Sequence, residues 1–135
     1  MKTNNLIVDS FDKLPSPSYV CEEKLLENNL KLLKRIQDEA DVNILLALKG
    51  FALWSTFDLC KKYLKGCCAS GLHEAILAKE EFGGEVHTYS AAFKDDEIDE
   101  IISISNHVVF NSFNQLKRYK DKAFGKTSLG IRLNP

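Results

Sequence analysis

Asn43-Ile44-Leu45-Leu46-Ala47-Leu48-Lys49-Gly50-Phe51 is the stretch whose reading decides the fold. The unbroken apolar run from Ile44 to Leu48 has the length and bulk of a strand buried on both faces, so the sequence predicts a strand here. Side chains alternate across a strand, which puts Lys49 on one face with Ala47 and Leu45, and Ile44, Leu46 and Leu48 on the other. Lys49 therefore stands where a strand runs out, the end at which α/β folds carry their chemistry. Two readings of Lys49 are open on spacing alone. A lysine at a strand end commonly reaches to water or pairs with a carboxylate. A lysine in a cleft can instead act as a nucleophile towards an aldehyde.

Outward from this stretch the chain alternates. The run Leu25, Leu26, Leu30, Leu33, Ile36 and Ala40 has helical spacing and predicts a helix over 22–40, with Glu22 and Glu23 in its first turn. Ahead of it, Pro15 and Pro17 mark a lead-in over 1–17, and Ser18-Tyr19-Val20-Cys21 has the composition of a short strand. After the lysine, Leu53, Phe57, Cys60 and Leu64 form one helical stripe over 53–64, with Ser55 or Thr56 able to cap it and Gly66 to close it. A strand is expected at 67–71, a helix at 72–82 stopped by Gly83-Gly84, a strand at 85–89 and a helix at 95–104. A strand at 107–110, a helix capped by Ser112 and running to about Lys122, and a strand at 128–133 complete the order.

The pattern after residue 42 is thus β-α-β-α-β-α-β-α-β, with a repeat of about 20 to 25 residues, the size of one unit of a (β/α)8 barrel. A doubly wound sheet shares this local signature. No GxGxxG or P-loop sequence occurs to support a nucleotide site. Five strands do not close a barrel, and Asn134-Pro135 follows a strand directly, so the expectation is the N-terminal portion of something longer.

Composition narrows the function classes. The chain has 135 residues, 44% hydrophobic and 27% charged, an ordinary globular balance. A net charge of −1 gives no general attraction to nucleic acid or to anionic membranes, and no apolar run is long enough to span a bilayer. Met1 to Asp9 has no sustained apolar core or cleavage site, so no signal peptide is expected. Cys21, Cys60, Cys67 and Cys68 match no zinc spacing, and His73, His87 and His107 are scattered, so no metal site is read. Reduced thiols and a cytoplasmic location are the expectation.

Five blocks carry a resemblance: Leu45 to Ala52, Lys65 to Ala75, Val86 to Lys94, His107 to Ser112 and Ser128 to Asn134. In this order they resemble the fold-type III pyridoxal 5′-phosphate decarboxylases of the alanine racemase and ornithine decarboxylase superfamily, most closely the carboxynorspermidine (carboxyspermidine) decarboxylase branch. The resemblance implies that residues 18–135 are part of a cofactor-binding (β/α)8 barrel of about five strands. It implies that Lys49 forms the Schiff base with pyridoxal 5′-phosphate and that Arg132 lies near the cofactor's phenolic edge. Ser70 and Cys67 fall at the strand end beside the lysine, with Ser70 a weaker cofactor contact. The ornithine branch has an aspartate where Cys67 stands, so no acid role carries over. Small hydrophobic packing is the favoured reading of Cys67 and Cys68, and structural roles are favoured for His73 and His87. Tyr89 and Ser90 are weaker site candidates, and Asn111 and Ser112 read as a helix cap.

The implied activity is decarboxylation of carboxynorspermidine or carboxyspermidine to the polyamine, in a family that is homodimeric. In that family the phosphate loop, the carboxylate at the ring nitrogen and the proton donor come from later sequence. A chain ending at Pro135 is expected to be inactive alone. Two other readings stand beside it: a half-barrel module that completes itself with a separate C-terminal chain, and another fold-type III enzyme such as diaminopimelate decarboxylase.

Overall fold

The computed structural model describes residues 13–135; the expected leaderless start, Met1 to Asp9, and most of the lead-in lie outside them. Five parallel strands form one sheet: β1 (Leu45–Ala47), β2 (Gly66–Ala69), β3 (Glu85–Ser90), β4 (His107–Phe110) and β5 (Ser128–Ile131). Helix α1 (Glu23–Ala40) precedes β1. The connections hold α2 (Phe57–Cys60), α3 (Leu72–Leu77), α4 (Ile98–Ile104) and α5 (Phe113–Ala123). The strands lie in the order β1-β2-β3-β4-β5, every neighbouring pair parallel. A doubly wound sheet reverses its order part-way. This one does not, so it is an arc of a barrel, as expected.

The helices pack on one face of the sheet. Leu30, Phe57, Cys60, Ala78 and Phe82 gather with Leu48, Cys67 and Val86 in one buried cluster. Ile98, Ile101, Tyr119 and Ala123 gather with Val108 and Phe110 in a second. Edge-on aromatic pairs stiffen both: Phe57 with Phe82 at 5.5 Å, and Phe93 with Phe110 at 5.6 Å between ring centroids. A buried hydroxyl pair, Thr88 with Ser105 at 2.7 Å, satisfies the polar atoms of this layer.

The opposite face carries the alternate residues. Cys68 is exposed, and His87, Tyr89, His107 and Val109 are half-buried. This corrects the expectation for the lysine stretch. The apolar run is covered on the Leu46 and Leu48 side, whereas Ala47, on the other side, is exposed, and only Leu45–Ala47 is strand. Among the described residues nothing lies over that face.

Several other boundaries differ for identifiable reasons. Ser18 to Cys21 is not a strand: it finds no ladder partner, and Tyr19 stands fully in solvent. The helix over 53–64 shrinks to a 3₁₀ turn, Trp54–Thr56, followed by the single turn of α2. Thr56 caps nothing, because its hydroxyl donates back to the Leu53 carbonyl at 2.8 Å. α4 starts at Ile98 rather than 95, and β5 ends at Ile131. Gly66 is no helix cap but the first residue of β2. The Ser112 cap is present, its Oγ accepting the Gln115 N–H at 3.3 Å. Gly83 and Gly84 do stop the preceding helical segment, both at positive φ, 71° and 80°.

Gln37, a polar residue of α1, is 4% exposed. Its amide donates to the Tyr63 carbonyl at 2.7 Å and accepts the Ile44 N–H at 2.7 Å. It ties α1 to the start of β1 and to the end of the α2 connection. Gln37→Leu keeps the bulk but strands both backbone groups, so a loss of about 1 to 3 kcal/mol is expected. A urea midpoint unchanged from wild type would show that water replaces the amide.

Candidate active site

The strand ends set the site. Lys49 follows β1, Ser70 follows β2, and Tyr89 and Val109 lie near the carboxyl ends of β3 and β4. Together with Ala47, Cys68, Ala69, His87 and Thr88 they line a cavity of about 210 Å³. The ladder register explains the grouping. Ala47, Cys68, His87 and His107 stand in one row across the sheet, and Tyr89 pairs with Val109 in the next. Alternation then sends these side chains to the open face. A larger polar hollow of about 420 Å³ opens at the opposite, amino-terminal ends of β4 and β5, lined by Lys79, Asn106, Lys126 and Ser128 among others. Volume does not make it the site. Parallel sheets carry chemistry at the carboxyl ends, where Lys49 is.

Lys49 and Ser70 are brought together as expected, and the Ser70 N–H is held by the Glu74 carboxylate at 2.7 Å. The two cysteines, both expected to pack as small hydrophobic side chains, part company, and it is Cys68 rather than Cys67 that meets the lysine. Cys67 is fully buried under the helices, and burial, with the neighbouring Cys68 adding, pushes its thiol up to about 12. Cys68 faces the cavity; burial raises its thiol while the Lys49 charge pulls the other way. Hydrophobic packing therefore describes Cys67 alone.

The histidine reading also changes. His73 is exposed in the first turn of α3. His87 lines the cavity, its Nε2 lies 3.0 Å from the Glu85 carboxylate, and its ring centroid is 5.2 Å from that of His107. Burial lowers the His107 pKa, and His87 lowers it further. The pair is separated by 20 residues in sequence and meets only because β3 and β4 are neighbours in register, His87 opposite His107.

Arg132 follows β5 and is tied into the site through Tyr89. Its Nη1 donates to the Tyr89 hydroxyl at 2.6 Å, and its guanidinium lies over the Tyr89 ring at 5.3 Å. The Tyr89 hydroxyl donates to Asn111 Oδ1 at 2.8 Å. Asn111 thus belongs to the site and only Ser112 to the cap. An exposed amine in a cleft, flat aromatic rings beside it and a tethered cation form a set suited to a planar, anionic aldehyde.

No family model matches the chain. A carboxynorspermidine/carboxyspermidine decarboxylase from Campylobacter jejuni is 47% identical over 124 residues, covering 92% of this chain and 32% of the relative. The chain is homologous to the carboxynorspermidine/carboxyspermidine decarboxylases. A carboxyaminopropylagmatine decarboxylase from Synechocystis is 44% identical over 123 residues, covering 90% of this chain and 32% of that protein. The crystal structure of the Campylobacter jejuni carboxynorspermidine decarboxylase, complexed with norspermidine, superposes with a TM-score of 0.83 at 46% identity. That match covers 86% of this chain and 31% of the other. The chain spans about a third of the length of the decarboxylases it matches. Over the matched segment, this sheet and that of the Campylobacter jejuni enzyme share one fold.

Among the described residues no helix is long and apolar enough to cross a membrane. No group of three or more metal-ligating side chains is found among them either.

Proposed function

We propose that the chain forms the lysine-bearing part of a pyridoxal 5′-phosphate decarboxylase acting on a carboxylated polyamine, with residues 18–135 as part of its barrel domain and the cytoplasm as its location. The observation that carries this reading is the position of Lys49, in a cavity at the carboxyl ends of parallel strands within a fold homologous to carboxynorspermidine decarboxylase. The residues present fit the cofactor. Lys49 would hold its aldehyde carbon, the His87 and Tyr89 rings would flank a flat heterocycle, and Arg132 would face its negative charge.

The cofactor, when bound, supplies the electron sink for the pair left by loss of CO₂. This chain's own residues would supply part of the rest. Ala47 and Val109 give the cavity apolar wall, which displaces water from a planar ligand. Arg132 would orient an anionic group through the planar fork of its guanidinium. Lys49 Nζ, in the cavity at the strand ends, would anchor the cofactor and so set where the substrate carbon stands. Ser70 is a hydroxyl at the cavity edge able to hydrogen-bond the ligand. The substrate class follows from the relatives, each a decarboxylase of a polyamine-like carboxylic acid, with carboxynorspermidine or carboxyspermidine first. A homodimer is the proposed working assembly.

The test is a chimera in which this chain replaces its aligned segment in the Campylobacter jejuni enzyme. Release of CO₂ from carboxynorspermidine, above that from diaminopimelate, is expected. A folded chimera that binds pyridoxal 5′-phosphate but releases CO₂ from neither acid, nor from carboxyaminopropylagmatine, would overturn the reading.

A further inference from the structure

We propose that Tyr89 and Asn111 form a clamp that positions the Arg132 guanidinium towards the Lys49 cavity, and that Tyr89 is a positioning residue with no proton to give. The proposal rests on the reading of the Lys49 cavity as the site of pyridoxal 5′-phosphate.

The direction of the hydrogen bonds carries the argument. Arginine has donors only, so at the 2.6 Å contact the Tyr89 oxygen must accept. The phenolic proton is then left for the second partner, Asn111 Oδ1, at 2.8 Å. The structure sets the Asn111 carbonyl oxygen, not its amide nitrogen, against the Tyr89 hydroxyl. The chain runs one way, Arg132 to Tyr89 to Asn111. The Tyr89 hydroxyl has spent its proton on Asn111, and a charged donor holds one of its lone pairs. An acid in the cavity needs a proton directed at the ligand, and Tyr89 has none.

The ring does a second job. It lines the Lys49 cavity with part of its surface and carries the guanidinium at 5.3 Å from its centroid. Arg132 is exposed and follows the last strand, where a long side chain left to itself samples many rotamers. Three contacts, the hydroxyl, the ring face and Asn134 Oδ1 at 3.4 Å, remove that freedom before any ligand arrives. The guanidinium N–H groups not engaged by Tyr89 and Asn134 remain as donors for an anion. The three members of the clamp come from the ends of β3, β4 and β5, so the sheet itself sets their spacing. Asn111 and Tyr89 are 22 residues apart, and Arg132 and Tyr89 are 43 apart.

The test uses the full chain and two readouts, one without cofactor. In the free protein, the Arg132 side-chain nitrogen resonances should show one slowly exchanging environment, and Tyr89→Phe should collapse it to the averaged signal of a mobile arginine. With pyridoxal 5′-phosphate linked at Lys49, the nearby cation lowers the pH midpoint of the visible absorbance, because it favours the anionic form of the bound ring. Tyr89→Phe, which keeps the ring face, should raise that midpoint by about one unit and weaken binding about tenfold. Asn111→Ala should move both in the same direction by less. Arg132→Gln combined with Tyr89→Phe should be no worse than Arg132→Gln alone. A Tyr89→Phe protein with wild-type arginine resonances and an unmoved midpoint overturns the clamp and leaves the cofactor reading standing. A folded chimera, with this chain in place of the aligned segment of the Campylobacter jejuni enzyme, that takes no pyridoxal 5′-phosphate at Lys49 overturns that reading, and the arginine resonances of the free chain then decide the clamp as structure alone.

Discussion

Lys49→Arg should abolish the covalent capture of pyridoxal 5′-phosphate at residue 49 while leaving the fold intact. The substitution keeps the positive charge beside Cys68 but removes the primary amine, and a guanidinium does not form the bond to an aldehyde. Borohydride reduction followed by peptide mass analysis reads the outcome directly. The wild-type chain should carry one pyridoxyl group at Lys49, well above any label on Lys79 or Lys126, which line the open hollow at the far end of the sheet. In the chimeric decarboxylase the same change should lower CO₂ release on the order of a thousandfold or more. Equal labelling at all three lysines in the wild type, unchanged in Lys49→Arg, would mean that the cavity confers no selectivity. Lys49 is already exposed, so neither Lys49→Arg nor Lys49→Ala leaves a hole in the core, and loss of label cannot be blamed on unfolding.

Gly66→Ala should destabilise the fold severely. A methyl group at residue 66 would lie 2.0 Å from the Glu85 carbonyl oxygen and 2.6 Å from the Glu85 C and N atoms. All three are backbone, so no side chain can swing aside. The two strands must separate at the point where Gly66 pairs with Glu85. β2 and β3 are interior strands whose far sides pair with β1 and β4, so the displacement has nowhere to go. A loss of about 3 kcal/mol or more is expected, read as a lower urea midpoint or as failure to accumulate soluble protein. Gly71→Ala is the control: nothing lies within 4 Å of the added carbon, and a change of no more than about 0.5 kcal/mol is expected. Equal midpoints for the two variants would show that the β2–β3 contact is not as tight as the structure has it.

These two residues also show how unevenly the sequence was legible. Lys49 could be placed at a strand end because five apolar residues lead to it and strand alternation assigns its face. Gly66 could not be placed, because a glycine after a helical stripe looks the same whether it caps that helix or opens the next strand. The difference lies in the approach of Glu85, a contact across sequence. Gln37 is another such case. One polar residue among many on an amphipathic helix gives no sign that it serves two backbone groups from other elements. The expectations that depended on one segment alone did well: the strand at 107–110, the Ser112 cap and the glycine stop at residues 83 and 84 all stand. Those that needed a partner failed, as at Ser18 to Cys21, where strand-forming composition met no strand.

The site divides the same way. Lys49 and Ser70 stand at strand ends as the sequence placed them, whereas Arg132, expected inside the strand at 128–133, follows its end. His87, Cys68, Tyr89 and Asn111 acquired their places from register. His87 is opposite His107, Cys68 shares a row with Ala47, and the Arg132–Tyr89–Asn111 chain spans three strand ends. By itself, the sequence determined the β/α alternation, the lysine at the end of the first strand and the resemblance that names its chemistry, because periodicity, bulk and local motifs are properties of contiguous residues. Only the tertiary structure decided between a barrel arc and a doubly wound sheet, which cysteine meets the lysine and which tyrosine holds the arginine. Strand order and register are pairings between distant residues, and no single segment carries them.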